Sequence, residues 1–110
     1  MLERIKESEN IKSLVDSIVE ATAPVKVYLF GSVADGSANA ESDYDFYVVV
    51  NDSDINTLKI ATKAYRSIRG KKTRPVDIVV GKKSSFEKRK NWELSVEREV
   101  AMKGILVYGQ

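Results

Sequence analysis

Three short pieces of the chain carry residues able to work on a phosphate: Gly31-Ser32, Asp43-Tyr44-Asp45, and Asp77. A glycine lets the backbone come close to a phosphate oxygen, and the serine after it offers both an N–H and a hydroxyl. Two aspartates spaced two apart in an extended segment point to the same face, with Cα atoms roughly 7 Å apart, which suits carboxylates that share divalent metals. A third carboxylate from a neighbouring strand, Asp77, would complete the oxygen ligands for one or two Mg²⁺ ions. Such a pair stabilises the attacking and leaving oxygens of an in-line displacement at phosphorus. Each piece alone is weak, since a lone Asp-x-Asp is most often a solvated turn or strand edge. Asp77 lies in an apolar stretch, where a buried carboxylate is costly without a metal or a cationic partner, so it is expected to have one or the other.

Composition removes other chemistries. The chain has no Cys and no His, which excludes disulfides, a structural zinc site, Cys or His nucleophiles and a His general base. Hydrophobic residues make up 43% and charged residues 31%, with no apolar run near the roughly 18 residues of a membrane span. Met1-Leu2-Glu3-Arg4-Ile5-Lys6-Glu7 has acidic residues where a signal peptide would be basic and then apolar, so a cytoplasmic protein is expected. A length of 110 residues predicts a single domain, 1–110, with no room for a separate acceptor-binding domain. The net charge of +2 hides a segregation: residues 1–55 hold 4 Lys/Arg against 11 Asp/Glu, and residues 56–110 hold 14 against 5. Folded against each other, such halves predict carboxylates facing a basic wall, an environment suited to polyphosphate with a divalent metal.

The elements that must position these residues are legible from periodicity. Ile11, Leu14, Val15, Ile18 and Val19 form one helical face, ended before Pro24. Residues 25–30 read as a strand running into Gly31-Ser32, and residues 31–42 as a loop with room for one helical turn. Tyr44 to Val50 reads as a strand buried on both faces. A helix capped by Asp52 or Ser53, with a face of Ile55, Leu58, Thr62, Tyr65 and Ile68, is ended by Gly70. After the polar connection Lys71-Lys72-Thr73-Arg74, Pro75 opens a third strand to Val80. Ser84-Ser85-Phe86-Glu87 has capping-box form and opens a helix with Trp92, Val96 and Val100 as core, before a last strand at Ile105–Tyr108. The predicted class is α+β (α/β-type), a small mixed β-sheet flanked by helices.

The order Gly31-Ser32, ten residues, Asp43-Tyr44-Asp45 and the apolar run Phe46 to Val50 resembles the minimal nucleotidyltransferases of the DNA polymerase beta-like superfamily. Val76-Asp77-Ile78-Val79-Val80 is similar to the strand carrying that family's third carboxylate, and Gly104-Ile105-Leu106-Val107-Tyr108 to its closing helix end and strand. The resemblance implies a nucleotidyltransferase fold and a Mg²⁺-dependent, pyrophosphate-releasing transfer of NMP, most simply AMP from ATP, to an acceptor hydroxyl. It implies that Asp43 and Asp45 bind both of two metal ions, that Asp77 binds the catalytic one and accepts the acceptor's proton, and that Gly31 and Ser32 hold phosphate. It also implies a partner, because such domains are commonly antitoxins paired with a small helical HEPN-type toxin that they modify on a tyrosine. The chain departs from the family in carrying Val33 and Asp35 where basic residues often follow Gly-Ser. Lys71, Lys72, Arg74, Lys82 and Lys83 flank the third strand and are the residues available to compensate.

Two other function classes compete with the enzyme. One is a catalytically weak module of the same fold, an antitoxin acting by protein–protein association with a partner or with a second copy of itself. The other is nucleic-acid binding through the basic second half, disfavoured because aromatic and basic residues do not cluster on one strand. Lys82, Lys83, Lys88, Arg89 and Lys90 are expected to form a solvated face.

Overall fold

A computed structural model describes residues 2–39 and 42–110. The elements are α1 (Leu2–Thr22), β1 (Lys26–Phe30), α2 (Ser32–Asp35), β2 (Tyr44–Val50), α3 (Thr57–Ser67), β3 (Val76–Lys82), α4 (Lys83–Arg89), α5 (Val96–Lys103) and β4 (Ile105–Tyr108). The four strands form one mixed sheet in the order β3-β2-β1-β4. β1 is antiparallel to β2 and β4, whereas β2 and β3 are parallel and are joined by α3 as the crossover that parallel pairing requires.

Alternation along the strands divides the apolar residues between two faces. On one face Val27, Leu29, Tyr44, Phe46, Val48, Val50, Val76 and Ile78 pack beneath Leu14, Val15 and Ile18 of α1 and Ile60 and Ala64 of α3. On the other face a smaller cluster joins Phe30, Tyr47 and Val49 to Phe86 of α4 and Val100 of α5. No helix among the described residues is long and apolar enough to cross a membrane.

The predicted face of α1 is the buried one, but the helix starts at Leu2, well before the apolar repeat. Polar contacts hold this extension: Asn10 donates to the Lys71 carbonyl at 2.8 Å, Thr73 donates to Asn10 at 2.9 Å, and Arg74 pairs with Glu7 at 3.4 Å. The face expected for α3 is corrected. Asn56, not Asp52 or Ser53, caps this helix, accepting from the Leu58 N–H at 2.8 Å, so Ile55 falls outside it. Ile60, Ala64 and the following Ile68 are buried, whereas Ile55 and Leu58 are exposed. Tyr65 turns to the free edge of β3, where its hydroxyl accepts from the Ile78 N–H at 2.8 Å.

The single helix expected after Ser84 is two helices broken at residues 90–95. Ser95 caps the second, accepting from the Arg98 N–H at 3.0 Å, and Trp92 lies in the break, 50% exposed with the Arg89 guanidinium over its ring, rather than in the core. The capping box is not used either: Asp52, distant in sequence, accepts from the Ser84 N–H at 3.0 Å at the start of α4.

Candidate active site

The second face of the sheet is covered by α4 and α5 only in part, and the beginnings of β2 and β3 lie at its open end. Asp45 follows Tyr44 at the start of β2 and stands in register with Asp77 on the parallel β3 and with Phe30 on β1. Asp43 lies just before β2 and is near enough to Asp45 to act on its carboxyl. Phe30 is the last residue of β1, so Gly31 and Ser32 turn away directly beside Asp45. Asp45 and Asp77 thus share one face, with Gly31 against Asp45 and Ser32 next to it in the chain.

Gly31 is required on two counts. Its φ of 77° lies in the left-handed region, and a Cβ there would collide with the Asp45 carboxylate oxygen Oδ2. The glycine thus lets the turn after β1 and the carboxylate strand touch. Ser32 opens α2, a single turn whose Val33 and Ala34 pack against the main core. The Ser32 carbonyl accepts the N–H groups of Ser37 at 3.1 Å and Ala38 at 3.0 Å, which ties down the loop.

These contacts explain the departures after Gly-Ser. Val33 anchors the turn to the core. Asp35 accepts from the Ser37 N–H at 2.9 Å and hydroxyl at 2.6 Å, bonds that hold its carboxyl below the ordinary value.

Asp45 is the electrostatic centre of the site. Desolvation chiefly, then the carboxylates of Asp77, Asp43 and Glu99, push its carboxyl above the usual value. Glu99, on α5, is a member of this acidic group that sequence reasoning missed; only the docking of α5 across the sheet brings it near, and nothing in its local sequence signals this. Asp77 itself is exposed, a correction to its expected burial: β3 has just begun there and no helix covers it. It takes part in neither ion pair among the described residues.

The basic wall is also corrected. Arg74 donates to the Ser42 carbonyl at 3.1 Å and lies over the Tyr44 ring at 4.7 Å, on the α1 side of the sheet. Lys71 donates to the Ser17 hydroxyl at 2.7 Å, and Lys82 donates to the Ser53 carbonyl. Three of the five residues available to compensate are thus engaged in holding elements together, leaving the exposed Lys72 and Lys83.

Among the described residues no three acidic side chains form a finished metal cage. The donor chemistry still fits a hard cation: carboxylates are aligned on adjacent strands, and their mutual repulsion at Asp45 is the kind a divalent ion relieves. Mg²⁺ in particular is held by one or two carboxylates plus substrate phosphates more often than by an all-protein cage.

The mixed sheet thus presses a glycine turn on a strand-borne carboxylate, with a second carboxylate in register beside it. The chain belongs to the polymerase beta nucleotidyltransferase family, whose model matches residues 9–110. It is a nucleotidyltransferase domain, and membership implies an NTP substrate and a divalent metal. A candidate nucleotidyltransferase from Sulfolobus solfataricus is similar in fold, with a TM-score of 0.67 and 22% identity over 96% of this chain and 83% of that one. A toxin–antitoxin complex with AMP-PNP has a TM-score of 0.54 and 21% identity, over 90% of this chain and 73% of that one. The MntA–HpeT toxin–antitoxin complex, in a variant with two aspartates changed to glutamates, has a TM-score of 0.54 and 19% identity over the same shares. No curated protein matches the chain.

Proposed function

We propose that residues 1–110 act in the cytoplasm as one catalytic domain that transfers AMP from ATP to a tyrosine hydroxyl of a small helical HEPN-type partner, releasing pyrophosphate. The observation that carries this reading is the register of Asp45 with Asp77 beside the Gly31 turn, which joins a carboxylate pair to a phosphate-side loop. Fold likeness to a toxin–antitoxin complex with AMP-PNP supports the adenine nucleotide and a partner protein.

In this reading Asp43, Asp45 and Asp77 would hold two Mg²⁺ ions. When bound, these supply charge neutralisation at the attacking and leaving oxygens. Gly31 leaves room for a phosphate oxygen next to Asp45, and the Ser32 N–H and hydroxyl donate to it. Asp77, exposed at the mouth of the site, accepts the proton of the incoming hydroxyl. The open end of the sheet admits a side chain carried by another protein.

The engagement of Arg74, Lys71 and Lys82 favours one second reading, in which phosphate affinity is low and the domain acts mainly by association. Co-expression with a helical protein encoded beside it, followed by intact-mass and peptide mass spectrometry, separates the two. The expected result is an AMP adduct on a partner tyrosine with the wild type and none with Asp43→Asn/Asp45→Asn. A complex that forms without an adduct in either sample would favour association.

A further inference from the structure

Beneath the open end of the site lies a polar contact that the reading above does not use. Glu97 of α5 is the one buried charged residue among the described residues, 6% exposed, and it accepts a hydrogen bond from the Tyr47 hydroxyl at 2.7 Å. Tyr47 is itself 1% exposed and follows Asp45 on the same face of the same strand. A third element is shaped around the pair: Gly81 of β3 stands where any Cβ would collide with the Tyr47 hydroxyl. The Phe86 ring closes the remaining side, 5.2 Å from the Tyr47 ring.

Two apolar residues of the same size would have filled this space. A buried carboxylate needs its hydrogen bond, and breaking one partner away from the other is expensive, so such a pair fixes one relative placement of its two elements and resists sliding. The elements fixed are the strand that carries Asp43 and Asp45 and the helix that borders them. Two residues after Glu97, Glu99 is near enough to Asp45 to act on it, and Lys103 at the end of α5 is near enough to act on Asp35 beside the Gly31-Ser32 turn. Sheet register agrees with this placement, because β4 follows α5 directly and its Ile105 pairs with Leu29, one residue before Phe30.

We propose that Tyr47 and Glu97 are positioning residues for nucleotidyl transfer, their buried hydrogen bond setting the distance between the carboxylate strand and the wall of the site formed by α5. The proposal rests on the function proposed above.

Its test compares wild type, Tyr47→Phe and Glu97→Gln in two measurements: steady-state transfer with Mg²⁺ and ATP, and hydrogen exchange of the α5 amides. Tyr47→Phe keeps the ring and removes only the donor. It is expected to lower kcat about tenfold, as small misplacements of reacting groups do, with KM for ATP changed by less than about threefold and α5 exchange accelerated. Glu97→Gln keeps a carbonyl acceptor for the phenol and is expected to stay within about threefold of wild-type kcat with α5 protected. Wild-type kcat in Tyr47→Phe, or a loss of activity matched by an equal fraction of unfolded protein, overturns the positioning role alone. If Glu97→Gln falls as far as Tyr47→Phe while folded and protected, the hydrogen bond is not the operative feature and the proposal fails. Absence of transfer by the wild type under all conditions overturns the functional reading, and exchange then shows whether the pair still fixes α5.

Discussion

The two faces of the sheet are made by the same strands and serve opposite ends. Along β2, Tyr44, Phe46, Val48 and Val50 point into the sealed layer under α1 and α3, while Asp45, Tyr47 and Val49 point to the face that α4 and α5 cover only in part. One residue of register separates a side chain that stabilises the fold from one that crowds like charges together. The sealed face can be complete because it carries no ionisable group of the site. The other must leave an end open, and it does so where the strands begin.

Substitutions on the two faces should therefore separate stability from activity. Phe46→Ala opens a cavity in the sealed layer and is expected to cost about 3–5 kcal/mol of unfolding free energy, read by denaturant titration. Asp43→Asn/Asp45→Asn should lower transfer by about 100-fold or more while the unfolding midpoint is unchanged or raised. Loss of folding in the aspartate variant would show that the faces are not divided in this way.

Gly31→Ala tests the junction between the turn and the carboxylate. The added methyl meets Asp45 Oδ2 and the left-handed φ is strained, so a loss of about 1–3 kcal/mol is expected together with reduced transfer. Gly36, also at positive φ but with open space around it, is the control: Ala there should strain the backbone without a specific loss of transfer.

Arg74→Ala sharpens the correction to the basic wall. Arg74 binds Glu7, the Ser42 carbonyl and the Tyr44 ring, so about 1–2 kcal/mol of stability should go while calorimetric affinity for ATP with Mg²⁺ stays within about twofold. A large loss of ATP affinity in a folded variant would return Arg74 to the site.

The smallest expected effect is that of Asp45→Asn alone on stability. The Asp45 carboxyl is raised in the folded protein above its ordinary value of 3.8, so its favourable contribution is complete below that pH and is lost as pH rises through the folded value. At neutral pH the ionised group therefore opposes folding. Asp45→Asn should melt at most a few degrees above the wild type at pH 7, with the gain fading as pH falls through the folded value and absent below pH 3.8.

Much of this organisation was legible in the residues. The family resemblance carried by their spacing related Gly31-Ser32 to Asp43 and Asp45, and the strand periods supplied β1 to β4, because alternation and turn residues are local properties. What escaped depends on tertiary choices. The N-terminal turns of α1 lack apolar periodicity and are held by Asn10 and Glu7 contacts to residues 71–74. The break between α4 and α5 left Trp92 outside the core, since Asp52 and Ser95 supply the caps that the Ser84 motif was expected to give. Glu99 joins the site only through the packing of α5, and the lysines and arginine around β3 could not be assigned to a face from their spacing.

The most direct measurement is transfer from ATP labelled separately at the α- and γ-phosphates, with Mg²⁺ and the co-expressed partner, by wild type and by Asp43→Asn/Asp45→Asn. Label from the α-position alone should become covalently attached to the partner in the wild-type reaction and be lost with the two carboxylates. Attachment from the γ-position, or undiminished α-label with the double variant, would contradict nucleotidyl transfer at the Asp43–Asp45 face.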